Sequence, residues 1–194
     1  MTKARVEAFS DGVIAILITI MVLELKVPHR SDLAALRPLL PVFLTYVLSF
    51  VILGIYWVNH HHLLHATTRV DGRVLWANLH LLFWLSLFPF VTGWMGENHF
   101  AALPTAGYAA VMFLAGVAYW LLSRAIVARE GKDSRLARAL GRDAKGKASV
   151  ALYAAAVPLA FVREWLADAI FVVVALIWLV PDRRIEGRLA KDRE

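Results

Sequence analysis

Long apolar runs alternate with short polar segments along this chain, and the pattern predicts an all-α protein that crosses a membrane repeatedly. A helix needs about 20 mainly apolar residues to cross a hydrocarbon core about 30 Å thick. Four runs meet that length, whereas the last apolar region, 149–180, is interrupted by Arg163, Glu164 and Asp168. At 1.5 Å per residue, its two parts give helices of about 21 and 24 Å, so one broken crossing and two short crossings both fit.

The distribution of basic residues favours two crossings in that region. With a cytoplasmic N-terminus and six crossings, all but four of the 21 Lys and Arg residues face the cytoplasm, as the positive-inside tendency requires. We therefore predict a single domain, 1–194, that forms a six-helix transmembrane bundle with both termini in the cytoplasm. The predicted helices are approximately 5–27, 38–58, 74–95, 104–126, 147–162 and 165–181. A basic cytoplasmic linker, 127–146, joins the fourth helix to the fifth.

Composition supports the membrane assignment and narrows the function. Hydrophobic residues make up 60% of the chain, above the usual 45 to 50% of a soluble domain. The net charge of +6 is spread over loops without a nucleic-acid motif, so it predicts contact with lipid headgroups and not with nucleic acid. There is no Cys, phosphate-binding Gly-rich loop, His-Glu-x-x-His or Gly-x-Ser-x-Gly motif, and no Thr-Val-Gly-Tyr-Gly potassium filter. We expect no catalytic residues, no metal and no cofactor.

Polar residues at the base of the first helix are the first candidates for function. Arg5, Ser10 and Asp11 precede an otherwise apolar run, and ionisable residues beside a membrane-spanning segment are costly and often functional. Ser and Asp also suit helix starts, so an N-terminal cap is an alternative. A carboxylate packed between helices requires a hydrogen-bond donor.

Candidate donors lie at the predicted cytoplasmic ends of the second and third helices, which carry residues 56–62, His65, Asn78 and His80. We expect Asp11, His60, His61 and Asn78 to lie at one depth and form a hydrogen-bonded layer. Metal or haem ligation by His60, His61, His65 and His80 is an alternative. However, successive helical positions lie about 100° apart, and the i, i+4 pair His61 and His65 lacks a third ligand.

A stripe of branched residues follows higher on the first helix. Ile16, Thr19, Ile20 and Leu23 are spaced i, i+3, i+4 and i+7, which places them on one helical face. That face either lines a pore or packs against a partner. Ordinary bundle packing is the alternative, because any such spacing in an all-apolar helix selects aliphatic residues.

These residues together resemble a known family. The first helix reads Arg5-x-x-x-Phe9-Ser10-Asp11 and closes with Leu-Glu-Leu-Lys-Val-Pro at 23–28. Residues 56–61 read Tyr-Trp-x-x-His-His, and Asn78 precedes Ser-Leu-Phe-Pro-Phe at 86–90. The motifs, in this order over the first three helices, resemble the bacterial relatives of lysosomal transmembrane protein 175, a potassium-channel family. His62, which extends the usual His pair, and Ile20, which stands where Leu is common, depart from that pattern.

The resemblance implies a homotetramer in a bacterial plasma membrane, with helix one around a central potassium-permeable pore. It implies a hydrophobic constriction at Ile16, Ile20 and Leu23, and a modest preference for K⁺ over Na⁺ that involves Thr19. It also implies a set of residues that lock helix one to helices two and three: Arg5, Phe9, Ser10, Asp11, Trp57, His60, His61 and Asn78. Proton conduction, or a small secondary transporter with helix breaks near Pro89, Gly93 and Pro158, is the alternative function.

Overall fold

Helices make up every regular element in the computed structural model, which describes residues 2–131, 134, 137 and 143–179. The prediction of an all-α fold is confirmed. The seven α-helices within these ranges are α1 Lys3–Ile20, α2 Leu40–His65, α3 Gly72–Ser86, α4 Phe88–Glu97, α5 Ala102–Glu130, α6 Ala144–Val162 and α7 Glu164–Leu179. Two 3₁₀ helices, Met21–Glu24 and Leu33–Leu39, follow α1 and precede α2.

Five helical segments of the described chain have the length and apolar composition needed to cross a membrane. One of them combines α3 and α4, which are separated only at Leu87. Pro89 lies in the first turn of α4, where its missing N–H removes a helical hydrogen bond and breaks the span. α7 has 16 described residues, a length of about 24 Å. The predicted end of the sixth helix at 180–181 and the basic C-terminal residues lie outside the described part.

Several predicted helix boundaries differ from the structure, three of them beside polar segments. α2 extends to His65 and not to 58, while α5 extends to Glu130 and not to 126. α6 begins at Ala144 and not at 147, so the helical part of the chain enters the predicted linker from both sides; most of residues 132–142 lie outside the described residues. Hydropathy marks where the membrane ends, whereas backbone hydrogen bonding carries a helix onward into the polar region.

The first helix ends earlier than predicted, at Ile20 and not at 27. The 3₁₀ turn Met21–Glu24 tightens the chain, and from Leu25 the backbone is extended. Pro28 disfavours helical geometry in the residue before it, which helps to end the helix. Beyond the turn, Lys26 Nζ lies 2.7 Å from Glu97 Oε1, and this ion pair ties the end of the first span to the end of α4.

The outer end of the bundle is closely packed between α2 and α4. A Cβ atom at Gly96 would lie 2.7 Å from Val42 Cα and 2.6 Å from Thr45 Oγ1, so this contact requires glycine. Three hydroxyl groups continue the contact inward. Ser49 Oγ lies 2.7 Å from Thr92 Oγ1 and 2.9 Å from the Tyr108 hydroxyl, which links α2, α4 and α5 through hydrogen bonds.

Buried aromatic rings lie beside these three hydroxyls, between α4, α5 and α7. The buried rings of Phe88 and Tyr108 are 5.9 Å apart, and those of Tyr108 and Phe171 are 5.1 Å apart. Aromatic pairs at these separations add to the stabilisation that burial alone provides. The apolar core that contains these rings continues to the buried residues of the first span, among them Ile14 and Met21.

Candidate functional site

α1 has one face fixed in the bundle and one face open. It packs against α2 and α3. The fixed face carries residues at the i, i+4 and i+7 spacing of a helical stripe, all of them buried: Val6, Ser10, Ile14, Leu17 and, just past its end, Met21. Because α1 contributes to the bundle through this face alone, the opposite face is left on the surface of the single chain.

The predicted stripe lies on that open face. Ile16 is 62% exposed and Leu23 is 76% exposed, although the opposite face of the same helix is buried. Thr19 is also exposed. Ile20 is 45% exposed and stands about 100° from Thr19 around the helix axis, which places it at the edge of the stripe. The stripe is therefore largely exposed in the part of the chain that the structure describes.

The hydroxyl of Thr19 is oriented by its own helix. Thr19 Oγ1 donates to the carbonyl oxygens of Ala15 and Ile16, at 3.0 and 3.1 Å. A hydroxyl has one hydrogen and two acceptor lone pairs. Its hydrogen is occupied by these contacts, so the oxygen is left as an acceptor on the exposed face.

A chain of buried side-chain hydrogen bonds anchors the base of α1. Asn78 Nδ2 on α3 donates to Ser10 Oγ at 2.9 Å, and Asn78 Oδ1 lies 2.7 Å from His60 Nε2 on α2. Because the amide oxygen accepts, the imidazole Nε2 carries the donated proton. Asn78 therefore joins three helices, with both of its side-chain functions occupied.

A second contact lies beside this chain. Trp57 Nε1 on α2 donates to Asp11 Oδ1 at 2.9 Å. Because α1 begins at Lys3 with Thr2 as its N-cap, Ser10 and Asp11 lie two turns inside the helix and do not cap it. Asp11 thus has its donor from the second helix, but the donor is an indole and not one of the neighbouring histidines.

Three residues that we expected in the locking set make no such contact within one chain. The side chain of Arg5 is exposed and forms no hydrogen bond or ion pair with another described residue. Phe9 is 49% exposed. His61 is exposed, and its ring lies 6.3 Å from that of Trp57 and 6.0 Å from that of His65. All three side chains are exposed in the described chain.

The histidines considered as metal or haem ligands point to separate partners. His60 Nε2 is bonded to Asn78, and His80 Nε2 accepts from Trp84 Nε1 at 2.9 Å. Among the described residues, no three His, Cys, Asp or Glu side chains are grouped so that they could hold a metal ion. His60 thus forms a hydrogen bond between α2 and α3, whereas His80 forms one within α3.

Sequence reasoning missed the contact that holds the outer end of α1. Thr92 Oγ1 on α4 lies 3.9 Å from Met21 Sδ, and the same oxygen is bonded to Ser49. The available signal was the isolated Ser and Thr residues within apolar spans, which commonly form hydrogen bonds between membrane helices. The two halves of the broken third span therefore hold opposite ends of α1, with Asn78 at the base and Thr92 at the top.

Comparison with known proteins places these contacts in a family context. A family model described as "Endosomal/lysosomal potassium channel TMEM175" matches residues 5–89, the region that holds the stripe and the buried hydrogen bonds. A potassium channel of Chryseobacterium sp. (strain P1-3) is 50% identical over 192 residues, which cover 99% of this chain and all of that protein.

Two further matches extend the comparison to structure and to animals. The crystal structure of a lysosomal potassium-selective channel TMEM175 homolog from Chamaesiphon minutus superposes with a TM-score of 0.78 at 29% identity, over 92% of this chain and 96% of that one. The endosomal/lysosomal proton channel TMEM175 of Danio rerio is 42% identical over 87 residues, which make up 37% of this chain and 17% of that protein.

Proposed function

Because this chain belongs to the TMEM175 family of channels, it is a multi-pass membrane cation channel and not an enzyme, and we propose that four copies surround a potassium-permeable pore lined by α1. The observation that carries the proposal is the open face of α1, where Ile16 and Leu23 remain exposed while the opposite face is fixed in the bundle. A symmetric assembly around this face turns the exposed stripe toward a central axis shared by the four copies.

In that assembly, four copies of Ile16, Ile20 and Leu23 form stacked apolar rings. A narrow apolar ring excludes water and therefore excludes hydrated ions, so it acts as a gate by dewetting. Arg5, Phe9 and His61 lie on the surfaces left open in one chain, where we propose that they contact the adjacent subunit. We further propose a cytoplasmic N-terminus in a bacterial plasma membrane, which the distribution of basic residues supports.

The reversal potential of the reconstituted protein tests the proposal. In planar bilayers with unequal K⁺, Na⁺ and H⁺ on the two sides, a potassium channel gives a reversal potential near the K⁺ equilibrium value. The particle mass in detergent should equal four chains. A dimer, or a flux that saturates as a carrier's does, would contradict the proposed pore.

Proton conduction is the second candidate, since the animal relatives are named as proton channels. The same recording separates the two, because a proton channel shifts its reversal potential with the pH gradient at constant K⁺. A mixed conductance gives intermediate values under both gradients.

We propose that the Thr19 oxygens provide the potassium preference by replacing part of the hydration shell of the ion. Thr19→Ala should lower the K⁺ to Na⁺ permeability ratio by about two- to five-fold, the size of effect expected from losing about 0.5–1 kcal/mol of differential stabilisation. Bi-ionic reversal potentials measure this ratio. Thr19→Ser keeps the hydroxyl and is the matched control, which should retain most of the preference. If Thr19→Ala leaves the reversal potential unchanged, the oxygen has no part in selection.

A further inference from the structure

A cavity of about 480 Å³ lies away from α1, between α2, α5, α6 and the end of α7. Its size falls within the roughly 300–1,000 Å³ range of pockets that bind small molecules. None of the described α1 residues lines it, so it is distinct from the proposed pore. Aromatic and aliphatic side chains form most of its wall.

The cavity changes in polarity along its length. Asn59, Asp143 and Lys147 line one end, at the same side of the bundle as the N-terminus. Ile52 lies seven residues before Asn59 on α2, and Ala154 lies seven residues after Lys147 on α6. These two residues line the other end of the cavity, about 10 Å deeper. A site that is charged at the membrane surface and apolar at depth fits an amphiphile that enters from that leaflet.

Two tyrosine hydroxyls border the middle of the cavity without partners. Tyr153 is 5% exposed, and neither its hydroxyl nor that of Tyr56 forms a hydrogen bond with another described residue. The neighbouring Tyr119 hydroxyl, by contrast, donates to the backbone oxygen of Asn59 at 3.2 Å. Both hydroxyls remain accessible from the cavity, where a ligand oxygen can accept a hydrogen bond from them. The two free hydroxyls therefore point to an acceptor supplied by a ligand.

The mouth of the cavity is suited to negative charge. Lys147 lines it, and Lys145 Nζ lies 5.5 Å from the ring centre of Trp178, which also lines it. The Asp143 carboxylate accepts from Gly146 N at 3.2 Å, so it caps α6 and is partly neutralised there. Juxtamembrane basic residues attract anionic lipids of the cytoplasmic leaflet.

We propose that this cavity binds an acyl chain of an anionic phospholipid, with the headgroup at Lys147 and an ester carbonyl accepting from the tyrosine hydroxyls. The chain then lies along Ile52 and Ala154. The choice of leaflet rests on the proposed orientation, whereas binding itself does not depend on ion conduction.

The position of the cavity links its occupant to the pore helix. Tyr56 and Asn59 face the cavity, while Trp57 and His60, on the same turns of α2, hold the base of α1. An occupant therefore contacts the element that sets the position of α1. Lipid bound here acts on the channel through α2.

Photocrosslinking tests the site on the full-length protein in phosphatidylcholine vesicles. The probe is phosphatidylglycerol with a diazirine in its acyl chain, and crosslinked peptides are mapped by mass spectrometry. We expect saturable labelling of α5 and α6 peptides that line the cavity, which unlabelled phosphatidylglycerol displaces and phosphatidylcholine does not. Non-saturable labelling, or equal displacement by both lipids, would show general lipid contact and overturn the proposal.

Two variants with one matched control sharpen the result. Ala154→Phe fills the apolar end and should weaken saturable labelling about ten-fold, as expected if two methylene groups lose their contacts. Ala155→Phe adds the same ring at an exposed neighbour outside the cavity lining and should leave labelling unchanged. Lys147→Gln, at the surface, should abolish the preference for phosphatidylglycerol while chain labelling persists. Equal effects of both phenylalanines, or a preserved preference in Lys147→Gln, would refute the assignment even if ion flux proves normal.

Discussion

Asn78→Ala is expected to lower the free energy of unfolding by about 1–3 kcal/mol, because it removes two buried hydrogen bonds between helices. Asn78 donates to Ser10 and accepts from His60, so its loss leaves both partners unpaired at the base of α1. Tetramer yield and thermal unfolding of the purified protein measure the effect. Selectivity of the surviving channels should change little, since the stripe lies higher on the helix.

Asn98→Ala is the matched control for that variant. Asn98 is exposed, and its side chain donates only to the carbonyl oxygen of Trp94 in its own helix. A second test combines Ser10→Ala with Asn78→Ala. The double variant should lower the free energy of unfolding by less than the sum of the two single variants, because the two residues share one hydrogen bond. If the losses in unfolding free energy are additive, or are equal for Asn78→Ala and Asn98→Ala, the hydrogen bonds of Asn78 do not anchor α1.

Ile16→Ser is expected to raise ion flux about ten-fold or more, because a polar ring at the narrowest part of the proposed pore admits water. A decrease of about 1.4 kcal/mol in the barrier is sufficient for a ten-fold change in rate. Vesicle flux assays and single-channel recordings measure the change. The same variant should lower neither the yield nor the thermal stability appreciably, since Ile16 is 62% exposed and lies outside the buried core.

Leu44→Ser is the control, because Leu44 is an aliphatic residue of α2 with 50% exposure outside the stripe. Its replacement should leave flux near the wild-type value. If Ile16→Ser and Leu44→Ser behave alike, Ile16 faces lipid and the pore lies elsewhere. Reduced flux in Ile16→Ser with a stable tetramer would argue against a dewetting gate at this position.

Much of this architecture was predictable because membrane solvation restricts what an apolar sequence can do. Hydropathy located the spans, and helical spacing placed Ile16, Thr19, Ile20 and Leu23 on one face of the first helix. Polar residues at equal depth indicated that His60 and Asn78 would lie in one hydrogen-bonded layer, which they do, whereas the contact of Asn78 with Ser10 was not foreseen. These inferences depend on periodicity and on the cost of unpaired polar groups, both of which are local properties.

Features set by tertiary contacts were not predictable in the same way. The donor to Asp11 is Trp57, and the choice between it and the adjacent histidines depends on the rotation of α2. The end of α1 at Ile20 depends on the following turn and on the ion pair of Lys26 with Glu97. The cavity with its unpaired tyrosine hydroxyls arises from imperfect packing of helices far apart in sequence, which no pattern along the chain records.

In the proposed pore, the orientation of the Thr19 hydroxyl favours cations over anions. A hydroxyl that is free to rotate stabilises an anion through its hydrogen as readily as a cation through its oxygen. Since the Thr19 hydrogen is committed to the carbonyls of Ala15 and Ile16, four such residues around the proposed pore present only negative dipole ends. The pore can therefore reject chloride at this level without a carboxylate ring, avoiding the cost of burying four charges within the membrane.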